Sequence, residues 1–588
     1  MGSFLNLLLA GTFCAGLYGQ ALQLDRIVNA VDEDAPIGSG SVATIRGRFP
    51  VGAACTAPLG ELSLCDVKVT VDDVEVPLLS VDSKRVTLLV PRRYGPISVL
   101  VHAAGEEASI PAELLPASVT PFRDAGLVKA TGADDATIGL SRPARPGETV
   151  FVYATGCGIA PDLAALAPDQ QPTEPYPAPG LDVSRLHFAD GSTTDVAATG
   201  TFLPAVPGTC VYALQIPEST PTGIATFEAG LWGVTNKIAQ VPIADGKTVG
   251  GTLRAPAFML SDEQPRALDT IVGTVSSEAG VRDITRSPNN HFLVDASGDA
   301  TIALAGEGWE QYHNTVAVDG NVALDLPMLP RLVYTDVRGD YDRETRTWSN
   351  AGWYDPLWEA WRGSTTGGEV SLLTILRALG VNATNTSCRE STFTWPQGAI
   401  IPVYIDPNRQ PFYDEQGNIM LGATSGPKPG VDAIKEMLQD YTAKTGRQFD
   451  LRQEPLEKIT YNNGKRDVEV YNGIYIQFVP SSELAGAAGR TGVFPNDAHH
   501  DLGTKPCGPI TGAIISIDYT SGYYSSLGNG VGAHEFSTAV GYGASGRVPF
   551  TTDNLGPASR SVWSTRDTDG RRMLEYLGPQ IPLEKFGN

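Results

Sequence analysis

The sequence predicts a multidomain protein: all-β sandwiches in its N-terminal and middle parts, then an α/β domain. Three observations carry this. With 588 residues and 42% hydrophobic content, the chain is too long for one core but rich enough for several. From Leu24 to about Asp245, short apolar or alternating runs are separated by turns rich in Asp, Gly and Pro. From about Trp395, helical periodicity is interleaved with short apolar runs.

The first residues, MGSFLNLLLAGTFCAGLYGQA, have an apolar stretch from Phe4 to Tyr18 followed by the small residues Gly19 and Ala21. They are expected to be a secretory signal peptide over 1–21, which makes the mature chain secreted or extracellular. No later stretch is long and apolar enough to predict a transmembrane helix. The formal charge of -23 opposes partners rich in phosphate, so nucleic acid is not expected.

The runs Ser41–Phe49, Val67–Val81, Arg85–Pro91 and Ile97–Ala103 predict strands, and about 220 residues of this pattern predict two sandwiches, 22–118 and 119–249. A third, smaller sandwich is expected over 250–330, from Thr270–Ser277, His291–Gly306 and Asn314–Leu329. Asp319-Gly320, between alternating runs, predicts a hairpin there. Residues 331–394 read as a connector with one helix, Glu369–Gly380. The last domain, 395–588, has strands at Ala399–Asp406, Ile474–Val479 and Gly512–Tyr519. Its helices are Gly430–Gly446, with Val431, Ile434, Leu438 and Tyr441 on one face, and about Val531–Val540.

Without Cys14, six cysteines remain: Cys55, Cys65, Cys157, Cys210, Cys388 and Cys507. An even number in a secreted chain favours disulfides. Neighbours within domains are the expected pairs, Cys55 with Cys65, Cys157 with Cys210, and Cys388 with Cys507; buried free thiols are the alternative.

The stretch VGAHEFSTAVGYGAS, Val531–Ser545, carries the one constellation with chemical content. His534 and Glu535 open it, and Gly541 follows seven residues after the histidine. With the strand and helix phrases IIPVYID, AIKEMLQDYTAKTG and GAIISID, it resembles a metzincin-type, matrixin-like zinc protease domain over Trp395–Asn588. That family carries H-E-x-x-H-x-x-G-x-x-H before a Met-turn. The resemblance implies His534 as a metal ligand, Glu535 as general base and Gly541 at the sharp turn. Thr538 and Ala544 stand where the second and third ligand histidines belong, and Trp563 stands where a methionine belongs. One imidazole of three is too few donors for a catalytic zinc site. The expectation is therefore a domain that has lost zinc catalysis, needs no cofactor, and acts as a peptide- or surface-binding module. The alternative is an active secreted zinc endopeptidase with ligands recruited from outside the motif. His499 and His500, in the loop NDAHHD, are the rescue candidates.

Two further resemblances complete the reading. Arg26–Ala30, Val76–Pro91 and Glu148–Gly158 resemble a β-sandwich module of large secreted bacterial proteins, which implies an accessory or surface role. The 250–330 segment resembles the transthyretin-like sandwich appended to carboxypeptidases. His102, His187, His291 and His313 have no ligand spacing and read as ordinary residues. Arg566–Glu575 is a near miss to a calcium loop and reads as a solvated turn. Gly528–Ala533 fits a nucleotide fingerprint only without its βαβ setting and reads as a loop.

Overall fold

Alternating Val and Ile side chains build the first sandwich. In Val67–Val71 and Ile97–Ala103 every second residue is buried, as half-covered strands require. The computed structural model describes residues 21–159, 174–334, 370–379, 391–494, 509–519, 535–541 and 565–587, apart from short stretches within them. The chain divides into two compact units. One holds the chain up to Thr252 with Val275–Ala300 and Val316–Leu324; the other holds Leu253–Thr274, Thr301–Thr315 and the chain from Asp325 on.

In the first unit, a five-stranded sheet runs in the order Gln23–Asn29, Val42–Arg48, Arg85–Leu89, Leu78–Val81, Cys55–Glu61. A four-stranded sheet runs Val74–Glu75, Val67–Val71, Gly95–Ala103, Glu106–Leu114. Ile45, Val69, Leu78, Val86 and Val99 fill the core with no exposed surface. The run Val67–Val81 is thus three strands, not one, because Asp72 and Asp73 both take positive φ, 47° and 67°, and turn the chain back.

The second sandwich sets the strands Thr149–Thr155, Thr209–Gln215 and Ala197–Phe202 with their neighbours in one six-stranded sheet. The other six-stranded sheet runs Arg123–Asp124, Leu127–Val128, Val234–Ile243, Gly223–Leu231, Val183–His187, Thr193–Asp195. Phe227, Tyr212, Leu186 and Val152 lie in its core. A disulfide joins Cys55 to Cys65 in the first sandwich, and another joins Cys157 to Cys210 in the second. Such bonds belong to chains that mature in an oxidising compartment. Cys388 and Cys507 lie outside the described residues.

Between residues 248 and 327 the chain forms a three-stranded sheet, His291–Asp295, Thr248–Arg254, Val322–Pro327. A four-stranded sheet, Gly280–Asp283, Val272–Ser277, Gly298–Ala305, Tyr312–Val318, accompanies it. The hairpin expected at Asp319-Gly320 is not formed. Strands Tyr312–Val318 and Val322–Pro327 lie in different sheets, so the Asp-Gly step is a corner between them. Alternation identifies strands but not their partners.

In the second unit, a five-stranded mixed sheet runs Phe449–Arg452, Ile401–Ile405, Gly473–Val479, Gly512–Asp518, Gly489–Phe494. Its pairings are parallel except at the last strand. Helix Pro429–Thr445 buries Ile434, Met437, Leu438 and Tyr441 in the same core as Ile401, Ile476 and Ile515. Residues Leu372–Leu379 form the connector helix. The solvated turn expected at Arg566–Glu575 is instead part of the helix Thr565–Leu577. Two of its polar residues are buried for cause: Asp569 accepts from Ser261 N and Oγ, and the Arg571 guanidinium lies over the Tyr441 ring.

The metzincin-type reading is corrected by this architecture. Strands dominate the described chain. Among the described residues no group of three or more His, Cys, Asp or Glu is placed to hold a metal ion. The metzincin-type protease domain expected over 395–588 is withdrawn, and nothing among the described residues supports a zinc site.

Candidate functional site

Of the residues singled out in the sequence, Glu535 and Gly541 fall within the described chain. His534, Thr538, Ala544, Trp563, His499 and His500 lie outside the described residues. Glu535 is buried, and its Oε2 accepts a 2.5 Å hydrogen bond from Thr491 Oγ1, which also reaches the Glu535 carbonyl oxygen at 3.0 Å. That hydroxyl ties the Glu535 segment to the edge strand Gly489–Phe494. Gly541 takes φ 94°, a conformation open to glycine and costly for a residue with Cβ. Phe536, Ala539 and Val540 beside them pack into the core of the mixed sheet.

Of the four histidines read as ordinary residues, three have defined partners. His102 and His187 pair with Glu107 and Glu228. His291 is buried between the Thr252 hydroxyl at 2.8 Å and the Ala125 carbonyl at 2.7 Å. That carbonyl can only accept, so His291 Nε2 carries a proton. Burial pulls the His291 pKa below the ordinary imidazole value.

A surface that the sequence reading passed over has a more developed geometry. It lies on the second sandwich, at the tip of the hairpin between Gly223–Leu231 and Val234–Ile243. Leu231 pairs with Val234, which leaves Trp232 and Gly233 as the whole loop. Their φ values are 52° and 82°. Positive φ at both positions is a type I′ turn, which matches the twist of the flanking strands and ordinarily selects Asn, Asp or Gly. A tryptophan in the left-handed region costs about 1–2 kcal/mol.

Two contacts offset that cost. The Trp232 backbone N–H donates to Asp182 Oδ2 at 2.6 Å. The six-membered ring of the indole lies against Gly158, where a Cβ would stand only 2.8 and 3.0 Å from two ring carbons. Gly158 itself has φ 81° and follows Cys157, whose disulfide to Cys210 pins this turn. Only glycine leaves room for the ring there. Burying about half an indole contributes on the order of 2 kcal/mol, enough to balance the turn. The result is a seated indole on a residue that remains 48% exposed. The Asp182 carboxylate sits at the backbone of the same residue, and Asp182 is itself exposed. A held indole next to a carboxylate can stack on an apolar ring face and accept a hydrogen bond from the same ligand. The sequence signal was the Trp-Gly step between two apolar runs, where turn chemistry alone would favour a small polar residue.

No helix among the described residues is long and apolar enough to cross a membrane. No family model matches the chain, and no curated protein matches it. The resemblances to a metzincin, to the secreted bacterial sandwich module and to the transthyretin-like sandwich are therefore withdrawn. Among solved structures, the chain is similar to SGBP-B of the Bacteroides ovatus mixed-linkage glucan utilization locus, solved with a mixed-linkage heptasaccharide. The identity is 10% and the TM-score 0.13, over 53% of this chain and 68% of that one. It is also similar to a gamma-CGTase from alkalophilic Bacillus clarkii, at 10% identity and TM-score 0.16, over 51% of this chain and 41% of that enzyme. The Escherichia coli adhesin FdeC aligns at 12% identity and TM-score 0.12, over 52% of this chain and 98% of that one. The chain thus spans less than half of the gamma-CGTase. TM-scores this low carry no argument about fold or ligand.

Proposed function

We propose that the protein is a secreted modular binding protein whose second sandwich holds ligand at the Trp232 hairpin. In this reading 1–21 is a signal peptide. The mature chain is divided at about 118, 249, 330 and 394 into two sandwiches, a smaller one, a connector and a C-terminal domain. Glu535 serves as a structural carboxylate held by Thr491, not as a general base. The observation that carries the proposal is the Trp232 ring itself: rigid, half-exposed, and set in a turn that an asparagine would form at lower cost. Rigid aromatics bind with little loss of side-chain entropy, which is why they anchor recognition surfaces.

The ligand class that suits this surface is a neutral polysaccharide. The apolar C–H face of a sugar ring fits the exposed indole, and its hydroxyls can donate to Asp182. The charge of -23 opposes an anionic chain. A peptide or protein ligand is the competing outcome. Affinity electrophoresis of the full chain through gels containing neutral polysaccharides separates them. Retardation of the wild type that is lost in Trp232→Ala supports the proposal. Wild-type mobility unaffected by every polysaccharide, or equal retardation of Trp232→Ala, contradicts it.

A further inference from the structure

Strand Gly223–Leu231 ends at Trp232; its other end opens into a cleft roughly 30 Å away by strand rise. The cleft has a volume of about 270 Å³. One wall comes from the second sandwich, through the turns at 188–190 and 221–224, and the other from residues 282–295. All of these residues belong to one compact unit. Phe188, Ile224 and Leu293, all buried, supply its apolar surface. Asp190, Arg282, Asp283 and Asp295 supply its polar rim.

The rim side chains differ in how they are used. Asp190 Oδ1 accepts from Ser192 N at 2.8 Å and from Ser192 Oγ at 2.6 Å, which fixes its carboxylate on the turn. Among the described residues, Arg282, Asp283 and Asp295 make no side-chain hydrogen bond or ion pair, although opposite charges line the same cleft. Their donors and acceptors are therefore open to a ligand.

We propose that this cleft is a second binding site, for a single neutral sugar ring or a polyol of that size. Three arguments select that class. The volume lies just below that of ordinary ligand pockets, ~300 to 1,000 Å³, and suits one ring better than a chain. Three carboxylates against one guanidinium repel an anion. The carboxylates also do not converge as metal ligands, since no such group exists among the described residues. A wholly apolar ligand would strip water from charged groups without replacing their hydrogen bonds. A hydroxylated ring donates to Asp283 and Asp295, accepts from Arg282, and lays its C–H face on Phe188 and Ile224.

The test uses the full chain with carbon-13 labels on the isoleucine and leucine methyls, where Ile224 and Leu293 report the cleft. The probes are the methyl glycosides of glucose, galactose, mannose and xylose, with glucuronate as the anionic control. The proposal predicts saturable shifts of the Ile224 and Leu293 signals with at least one neutral glycoside. Affinity for glucuronate should be at least about tenfold weaker. Asp283→Asn with Asp295→Asn should weaken neutral-glycoside binding by about tenfold or more at an unchanged melting temperature. Trp232→Ala should leave the cleft signals as they are, so that failure at the hairpin and failure at the cleft are read separately. The proposal is overturned by any of four results: no methyl shift with all four glycosides, glucuronate binding as strong as theirs, the double aspartate variant binding like wild type, or loss of the shifts in Trp232→Ala.

Discussion

Two turns of the same six-stranded sheet, Ala125-Gly126 and Trp232-Gly233, share one backbone and differ in everything around it. Each closes a hairpin through a residue and a glycine at positive φ, 48° and 90° in the first, 52° and 82° in the second. The first turn has an exposed Ala125 side chain, but its backbone is held. The Ala125 carbonyl accepts from His291 Nε2, and the Asn289 side chain packs where a Cβ on Gly126 would stand, at 2.5–2.8 Å. There the carbonyl and the glycine make the contacts, and the small side chain takes no part. The second turn carries the bulkiest side chain available, seats it on Gly158 and leaves 48% of the residue exposed. Equal turn chemistry with unequal side chains separates a structural joint from a presenting surface.

The comparison breaks most severely at the disulfide. Replacing Cys157 and Cys210 by serine removes a cross-link between residues 53 apart and should cost about 3–4 kcal/mol in denaturant unfolding. It should also release the Gly158 turn, so the Trp232 fluorescence should change with it. The backbone-held turn is next. His291→Leu leaves the Ala125 carbonyl and the Thr252 hydroxyl without their partner, at about 1–3 kcal/mol. The same histidine sets a pH dependence. Its folded pKa lies below its unfolded value of about 6.5, so the unfolded chain binds the proton first. The stability it contributes is complete above about pH 6.5 and is lost as pH falls below that. Unfolding curves at pH 7.5 and pH 5 should differ more for the wild type than for His291→Leu. At the presenting turn, Gly158→Ala puts a Cβ at positive φ and into the ring, at about 1–2 kcal/mol, and should displace the indole. The smallest stability effect is expected from Trp232→Asn, within about 1 kcal/mol, because relief of the turn offsets much of the lost packing. Ligand binding at the hairpin should nevertheless disappear.

Much of the strand content was legible because half-buried strands alternate. Val67–Val71 and Ile97–Ala103 follow that rule residue by residue. Partnership was not legible. The Asp319-Gly320 step has hairpin chemistry, yet its flanking strands join different sheets, a choice made by tertiary packing. The helix Thr565–Leu577 escaped notice because its first half, Thr-Arg-Asp-Thr-Asp-Gly, shows no apolar period, and because Asp569 and Arg571 are buried through polar contacts. Reading His534 and Glu535 as the chemical centre followed a motif. The observed role of Glu535 is a hydrogen bond to Thr491 across the edge of a sheet, which no spacing rule encodes. Trp232 was hidden for a different reason. Its neighbours Asp182 and Gly158 lie 50 and 74 residues away in sequence, and only the sandwich brings them to the hairpin.

The most direct test follows the indole N–H resonance of Trp232 in the full chain, assigned by its absence from Trp232→Ala, during titration with neutral oligosaccharides. The account predicts a saturable shift of this resonance with at least one neutral oligosaccharide, abolished when Asp182→Ala removes the adjacent carboxylate. A resonance that stays in place across all of them, or a shift that is unchanged in Asp182→Ala, would contradict it.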